Sequence, residues 1–481
     1  MMALAVWVMA QMPVRISATR AVPPDSADVA RQSRPRFWRA AAEVVGTNAG
    51  VWAFDRYVAD ADYAHISLKS IRDNLREGFV WDNDQLGTNM FLHPYNGSLY
   101  FNAARSSGFN FWQSGCFALA GSAMWELFME CEPPSTNDII ATPVGGMCIG
   151  EVTYRASDAI IDDRTGGAER VAREIGAFIV SPMRGLNRLI SGDMWRRRAT
   201  SGRMFGIPNL AMEMSLGVNV LDFRHDDCSP RPGGIAKINI EYGDRFEVRS
   251  KKPYDYFTFS ASLNMMRRQP VLQHLSIQGR LLARELLDSR GRHLSVGMFQ
   301  HFDYYDSDTI NAGAIPYKLG VPASVGAGLY FRDVERSRFV LDAYAHVNGV
   351  MLAGILTDYY RVDMRNYNLA MGFSTKIGAN IVIDDGRWAM SVRNELFQLY
   401  TWKGYSPDTD LRHIEPKTFN VMGDKSRATF CVTSLRADWR MTSKLYLTLN
   451  LEHYLRVTRY SYHPTVRSTT LGAQLMLTYK L

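Results

Sequence analysis

The chain has 481 residues, 46% hydrophobic and 12% aromatic, with a formal charge of +7 at neutral pH. That length exceeds one small domain and points to about two. The mild basic excess has no basic stripe interleaved with a recognition motif, which points to contact with anionic lipid or lipopolysaccharide rather than nucleic acid. Cys116, Cys131, Cys148, Cys228 and Cys431 form no CxxC pair and no zinc spacing, so they are read as small packing residues, and no metal or other cofactor is implied.

The chain opens MMALAVWVMAQ, an apolar stretch of signal-peptide length without the basic residues that should precede it. Either the start is misassigned or the signal is atypical. No cysteine follows, so a lipidated amino terminus is not expected. Residues 1–35 are taken as a signal-like segment and a processed or disordered leader.

Residues 36–200 read as a helical region. An amphipathic pattern over 37–75 is broken by Gly46 and Gly50. Next come Trp81, Asp82, Asn83 and Asp84, then His93, Pro94 and a turn at Asn96 and Gly97. The stretch 98–132 is rich in apolar residues, but Asn102, Arg105, Asn110, Gln113 and Glu126 interrupt it. Burying that set in lipid is unfavourable, so it is read as a helix or helical pair packed within protein. Pro133 and Pro134 end it, and Ser135 with Asp138 forms a capping box for the following helix. In that helix Gly146 and Gly150, four apart, allow another backbone to come close. A third helical stretch covers 168–192 and bends at Pro182. Trp195 beside Arg196, Arg197 and Arg198 reads as a headgroup-level membrane anchor, with a solvated basic turn as the alternative.

From Asn209 onward the period is two. Leu445, Leu447, Leu449 and Leu451 alternate with Tyr446, Thr448, Asn450 and Glu452, and Leu471, Ala473, Leu475, Leu477 and Tyr479 alternate with mostly polar residues. The same alternation runs through 212–220, 257–265 and 341–348. Residues 201–481 thus read as an all-β transmembrane barrel of about twelve antiparallel strands, preceded by the α-helical region. Connections after even strands tend to be short, as at 288–291, Asp385-Gly386 and 441–443, with a longer one near 245–253, and 267–271 is short where the same rule expects a long loop. Those after odd strands include long ones at 224–234, 302–322, 349–366 and 404–425. Short turns belong to the periplasmic side, which places both termini there, in a bacterial outer membrane. The helical region then serves as a plug in the lumen or a periplasmic cap. The lumen face is expected to carry Glu213, Lys237, Glu241, Arg280, Arg284, Asp342, His346, Arg393, Glu395, Arg436, Asp438, Arg440 and Glu452, charges that must be paired or hydrated.

The runs WDND at 81–84, HPYNGSLYFNAARSSGFNFWQS at 93–114, WELF at 125–128, EPPSTND at 132–138, GEVTYRASD at 150–158 and SPMRGLNRLISG at 181–192 together resemble an uncharacterised bacterial outer-membrane family, domain of unknown function 3943. The resemblance implies an exported protein with a helical region before a barrel, and implies no activity. The chain ends Tyr479, Lys480, Leu481, departing from the terminal aromatic of many outer-membrane barrels.

Catalytic candidates are His93, Glu126, Asp138 and Glu151, since a histidine with a carboxylate can act as general base and a buried carboxylate pair can share a proton. Against that chemistry, no GxSxG, HExxH or phosphate loop occurs. The competing reading makes Glu126 a member of a buried polar network with Asn102, Arg105, Glu132, Asn137, Arg155 and Asp158, which seats the helices. His225, Asp226, Asp227 and Cys228 read as an outer-loop turn. The functional expectation is a structural, assembly or transport role in the envelope, with other envelope proteins as possible partners. The alternatives are a lipid- or glycan-modifying enzyme sited in the helical region, and a channel gated by the helices.

Overall fold

The computed structural model describes residues 21–223, 231–248, 250, 252–266, 269–289, 291–307, 316–334 and 339–481. The signal-like stretch and the His225–Cys228 turn lie outside the described residues. The chain divides into two compact units, Met1–Asp82 with Gly87–Asn209, and Asn83–Leu86 with Leu210–Leu481.

The first unit holds eight helices: α1 Ser26–Gln32, α2 Phe37–Tyr57, α3 Leu68–Glu77, α4 His93–Ser106, α5 Phe111–Phe128, α6 Asp138–Ile160, α7 Gly167–Val180 and α8 Pro182–Ser191. Helix α1 corrects the expectation of a disordered leader. Asp25 caps it, and the buried Asp28 carboxylate accepts from the Gly202 amide at 2.8 Å and the Thr200 hydroxyl at 2.7 Å, fastening it to the unit. Helix α2 runs through Gly46 and Gly50 instead of breaking there. Each glycine weakens it by only about 1 kcal/mol, and Ala40, Val44 and Asn48 are buried along one face. The break falls at residues 58–67, where Asp60 takes a φ of 50°.

The turn expected at Asn96 and Gly97 is helical, because Pro94 sits in the first turn of α4, where a missing amide hydrogen is harmless. Gly97 is needed for a different reason. A Cβ there would lie 1.8 Å from the Thr142 carbonyl oxygen of α6, and one on Gly146 would lie 2.5 Å from the Gly97 carbonyl carbon. The two backbones touch at these glycines, as the Gly146/Gly150 spacing suggested. The stretch 98–132 is a helical pair, α4 and α5, divided by an Asn110/Gln113 capping box. The third stretch is interrupted at Ser181, just before Pro182. No helix among the described residues is long and apolar enough to cross a membrane.

The second unit is a closed antiparallel barrel of twelve strands: β1 Leu210–Phe223, β2 Arg231–Tyr242, β3 Phe257–Met265, β4 Leu272–Ser289, β5 Arg292–Ser307, β6 Tyr317–Asp333, β7 Phe339–Leu356, β8 Tyr367–Ile383, β9 Trp388–Thr401, β10 Ser426–Arg440, β11 Leu445–Tyr460 and β12 Val466–Lys480. Closure joins β1 to β12 in a register that sets Leu216 opposite Leu477 and Val218 opposite Leu475. These side chains, with Leu449, Leu451, Val347, Ile377 and Met390, are exposed on the outer face. Alternation therefore builds an aliphatic wall, the surface of a membrane-spanning barrel. Trp388 and Trp439 stack at 6.2 Å on the same wall beside the short turns, where a girdle residue belongs.

The short turn after β8 carries left-handed Asp384, Asp385 and Gly386, as the Asp-Gly signal predicts. Three expected loops are shorter than read. Strand β2 starts at Arg231, β5 continues to Ser307, β6 starts at Tyr317 and β7 continues to Leu356, taking residues 231–234, 302–307, 317–322 and 349–356 into the sheet. Arg284 is not in the lumen: a register shift between Arg280 and Leu282 reverses the facing of β4 and sets Arg284 opposite Val296 on the outer face. Residues 357–366 and 402–425 fold together around Tyr360, Val362 and Val421. The Asn83 side chain joins them, accepting from the Tyr360 hydroxyl at 2.8 Å and donating to the Pro416 carbonyl at 2.9 Å.

Candidate functional site

In the helical unit the decisive polar groups gather at the start of α6. Val80 forms a parallel bridge with Ser135, its amide donating to Pro134 at 2.9 Å while Thr136 donates to Val80 at 2.7 Å. This brings Asp82 beside the capping turn. The Asp138 amide donates to Ser135 Oγ at 3.2 Å, so the expected cap bond is present. Asn137 accepts from the Asp82 amide at 3.2 Å and donates to Asp138 Oδ1 at 3.0 Å, while Asn89 donates to Asp82 Oδ1 at 2.6 Å. From α5, Glu126 Oε2 accepts the Ser135 amide at 2.7 Å. From the first turn of α4, His93 Nε2 comes within 3.7 Å of Asp138 Oδ2.

Burial pushes the Asp138 carboxyl well above the usual carboxylate range, and the neighbouring Asp82 and Glu126 charges push it further. Burial opposes ionisation of Asp82 too, but the hydrogen bond from Asp138, the His93 charge and the amides of Asn89 and Asn137 outweigh it and hold Asp82 below its ordinary value. Burial lowers His93, with Asp82 offsetting part of that. The two carboxyls are thus pushed in opposite directions, which favours a proton held on Asp138 and donated to Asp82, with His93 beside them. Such a group can give or take a proton. With Asp138 deprotonated, His93, Glu126 and Asp138 each offer one ligand atom, all within 4.8 Å of one another, a set suited to a divalent cation.

The sequence-derived candidates thus divide. His93, Glu126, Asp138 and Asn137 come together, and Asp82 and Asn89, to which no role was assigned, complete the group. Glu151 does not join it. It accepts two hydrogen bonds from Arg105, at 2.7 and 2.9 Å, and one from Arg155 at 2.9 Å. Both guanidinium groups lie over the Phe205 ring. Asp158 accepts from Arg184 and from the Met204 and Phe205 amides, and Asn102 donates to Thr153 at 3.1 Å. The single network expected is therefore two, and the second is a structural clasp holding residues 203–205 to α6. Glu132 is half-buried in the loop before α6. In the anchor segment Trp195, Arg196 and Arg197 are exposed, whereas Arg198 is bonded to Asp193.

The barrel holds a second constellation. Glu213, Lys237, Glu241, Asp342, Arg393, Glu395, Arg436, Asp438 and Glu452 line one lumen cavity of about 550 Å³. Their charges are paired: Lys237 of β2 meets Glu452 of β11 at 2.7 Å and Arg436 of β10 meets Glu213 of β1 at 2.9 Å, joining strands that are not neighbours, while Lys376 lies 3.7 Å from Glu395 on the adjacent strand. Arg280 binds Asp255 at 2.7 Å together with carbonyls of residues 244–247, and Arg440 reaches the Asp385 carbonyl at the β8–β9 turn. His346 is buried against Phe299 and His301, and neither ring nitrogen of either histidine has a hydrogen-bond partner among the described residues.

Beyond this charged layer the lumen face turns apolar: large side chains close the modest bore of twelve strands, and the alternation of faces does not announce that they are aromatic and aliphatic. Tyr317 of β6 stacks on Tyr454 of β11 at 4.5 Å, and Tyr305 of β5 meets Phe430 of β10 at 5.4 Å. None of these strands are neighbours, so the rings meet across the bore. Leu319, Val321, Phe397 and Leu399 pack into the same buried layer. Tyr305 and Tyr454 donate their hydroxyls to Glu395 and Glu452 at 2.7 and 2.6 Å, fixing the aromatic layer to the charged one.

The structure defines the class as a membrane-spanning β-barrel with an amino-terminal helical unit. Residues 78–183 match the family described as Domain of unknown function (DUF3943), the resemblance drawn from the sequence runs above. No curated protein matches the chain. Among solved structures, the NanC porin is similar at 8% identity over 56% of this chain and 100% of that one, with a TM-score of 0.27. The Pseudomonas putida toluene transporter TodX is similar at 8% over 56% and 89%, with a TM-score of 0.23. An outer-membrane channel from Pseudomonas putida F1 is similar at 9% over 56% and 95%, with a TM-score of 0.26. At these scores the likenesses carry no argument about cargo.

Proposed function

We propose that the protein is a transport barrel of the bacterial outer membrane, held closed by its own lumen side chains. The observation that carries this reading is the aromatic layer joining β5 and β6 to β10 and β11 across the bore, with a charged cavity against one of its faces. A solute path needs a polar vestibule and a barrier that gives way, and the charged cavity beside the aromatic layer supplies both parts. In this reading the short turns and both chain termini face the periplasm, and lipid with lipopolysaccharide surrounds the outer wall. The barrier is internal to the barrel, in contrast to a gate made by the helices.

The test is conductance in planar bilayers. The full-length protein is expected to conduct little, and a Tyr317→Ala/Phe430→Ala variant that still migrates as a folded barrel is expected to conduct in steps. A folded double variant as silent as the parent overturns the reading. A second reading, an envelope-modifying enzyme, is favoured specifically by the Asp82/Asp138 proton-sharing pair beside His93. It predicts that His93→Ala abolishes a lipid or glycan modification while conductance is unchanged.

A further inference from the structure

A second pocket in the helical unit stands apart from the acid pair. Its cavity of about 260 Å³ lies among residues 31–39, the end of α4, helix α8 and residues 193–198. Eight of its fifteen lining residues are arginine, and one, Asp193, is a carboxylate. Arg31, Arg39, Arg184, Arg188 and Arg198 are held by acidic side chains of the surrounding segments. The guanidinium groups of Arg34, Arg36 and Arg196 have no such partner among the described residues. All three residues are exposed at the rim of the cavity, where water screens their repulsion, and together they give its mouth a positive potential that favours an anion.

The wall between them is built, not incidental. The Arg36 amide donates to the Ser107 carbonyl at 2.9 Å. Gly108, at a φ of 92°, has no room for a side chain, because a Cβ would lie 2.6 Å from the Arg34 carbonyl. This contact seats the arginine loop on the end of α4. Ser107, only 2% exposed, lines the cavity with a hydroxyl that has no partner among the described residues, and the Ser106 hydroxyl there is likewise unpartnered. A buried donor left unmade is unfavourable unless a ligand accepts from it.

We propose that this pocket binds the phosphate of a phosphomonoester or diphosphate ligand, with Arg34, Arg36 and Arg196 supplying the charge and Ser107 a hydroxyl donor. A phosphomonoester carries roughly two negative charges and three acceptor oxygens at neutral pH, which answers three guanidinium groups better than a monoanionic carboxylate does. Planar guanidinium forks recognise such oxygens in pairs. The volume admits a headgroup or a sugar phosphate and excludes acyl chains. Trp38 at 82% exposure and Trp195 at 71% flank the arginine stretches on the outside, the pattern of a group that meets a lipid phosphate at headgroup level.

The test uses the full-length chain in a zwitterionic detergent at low salt, titrated in separate arms with pyrophosphate, short-chain phosphatidic acid and short-chain phosphatidylcholine. Binding is read by calorimetry and tryptophan fluorescence. Saturable binding of pyrophosphate and of phosphatidic acid supports a site for phosphate as such. Binding of phosphatidic acid without pyrophosphate supports the lipid source, and the reverse supports a soluble one. An R34Q/R36Q/R196Q variant is expected to weaken the binding arm at least roughly tenfold, with R196K retaining part of the affinity and R196Q alone serving if the triple variant does not fold. No binding in any phosphate arm, equal binding of phosphatidylcholine, or unchanged affinity in a folded charge-removed variant overturns the proposal.

Discussion

Replacing Asp138 by asparagine tests the proton-sharing pair directly. The native carboxyl is pushed well above its ordinary range, so the folded chain keeps a proton that the unfolded chain releases above about pH 4. A native state that binds more protons loses stability as pH rises, by up to about 1.4 kcal/mol per pH unit between the unfolded and folded values. Asp82 works in the opposite sense: its pKa is lowered, so its contribution is present above the unfolded value and lost as pH falls through the folded one. Asparagine keeps the shape and one donor for Asp82, and removes only the titration of Asp138. The D138N chain is therefore expected to match the parent near pH 4 and to exceed it progressively toward pH 8, as read by the helical circular-dichroism melt across that range. Should D138N instead be less stable at pH 8 than at pH 4 relative to the parent, Asp138 is ionised in the native state and the proton assignment is wrong. A parent melt that rises on adding a divalent cation, with the rise absent in D138N, would identify the group as a metal centre.

Three further changes probe other parts of the structure. Gly97→Ala places a methyl 1.8 Å from the Thr142 carbonyl and must push α4 from α6, with a loss of about 1–3 kcal/mol in the helical melt; an unchanged melt would refute the backbone contact. Glu151→Gln takes the shared carboxylate from Arg105 and Arg155, and breaking such a buried pair costs about 3–5 kcal/mol. Because this clasp is structural, D158N should likewise lower the melt, and neither should alter a His93-dependent modification. His346→Phe removes two buried ring nitrogens without partners from an aromatic cluster and should leave the barrel equally stable or more stable, by up to about 1–3 kcal/mol in urea unfolding. A lower midpoint there would show that a ligand or water holds the imidazole.

What could be read from sequence follows the contrast between neighbouring solvents. On β11 and β12 one face meets lipid and much of the other meets charge, so Leu449 and Asn450 announce their sides and the strand count follows. On β10, Phe430 and Val432 face the lumen while Cys431 and Thr433 face away, and there the pattern gives no warning that the bore is filled. Period two reports that faces differ, not which is the inside. In the helical unit, amide and charged residues within apolar stretches correctly signalled burial of Glu126 and Asp138. Which polar group meets which was set elsewhere, by the Val80–Ser135 bridge that carries Asp82 to the start of α6 across a separation no helical period encodes. Glu151 shows the reverse. It lies in the family-resembling run at 150–158, next after the one that ends at Asp138, yet it is thirteen residues further along α6 and meets Arg105 of α4 instead. Burial and residue type nominate both carboxylates, and only the neighbouring helix decides that one is neutralised by arginine while the other is left to share a proton.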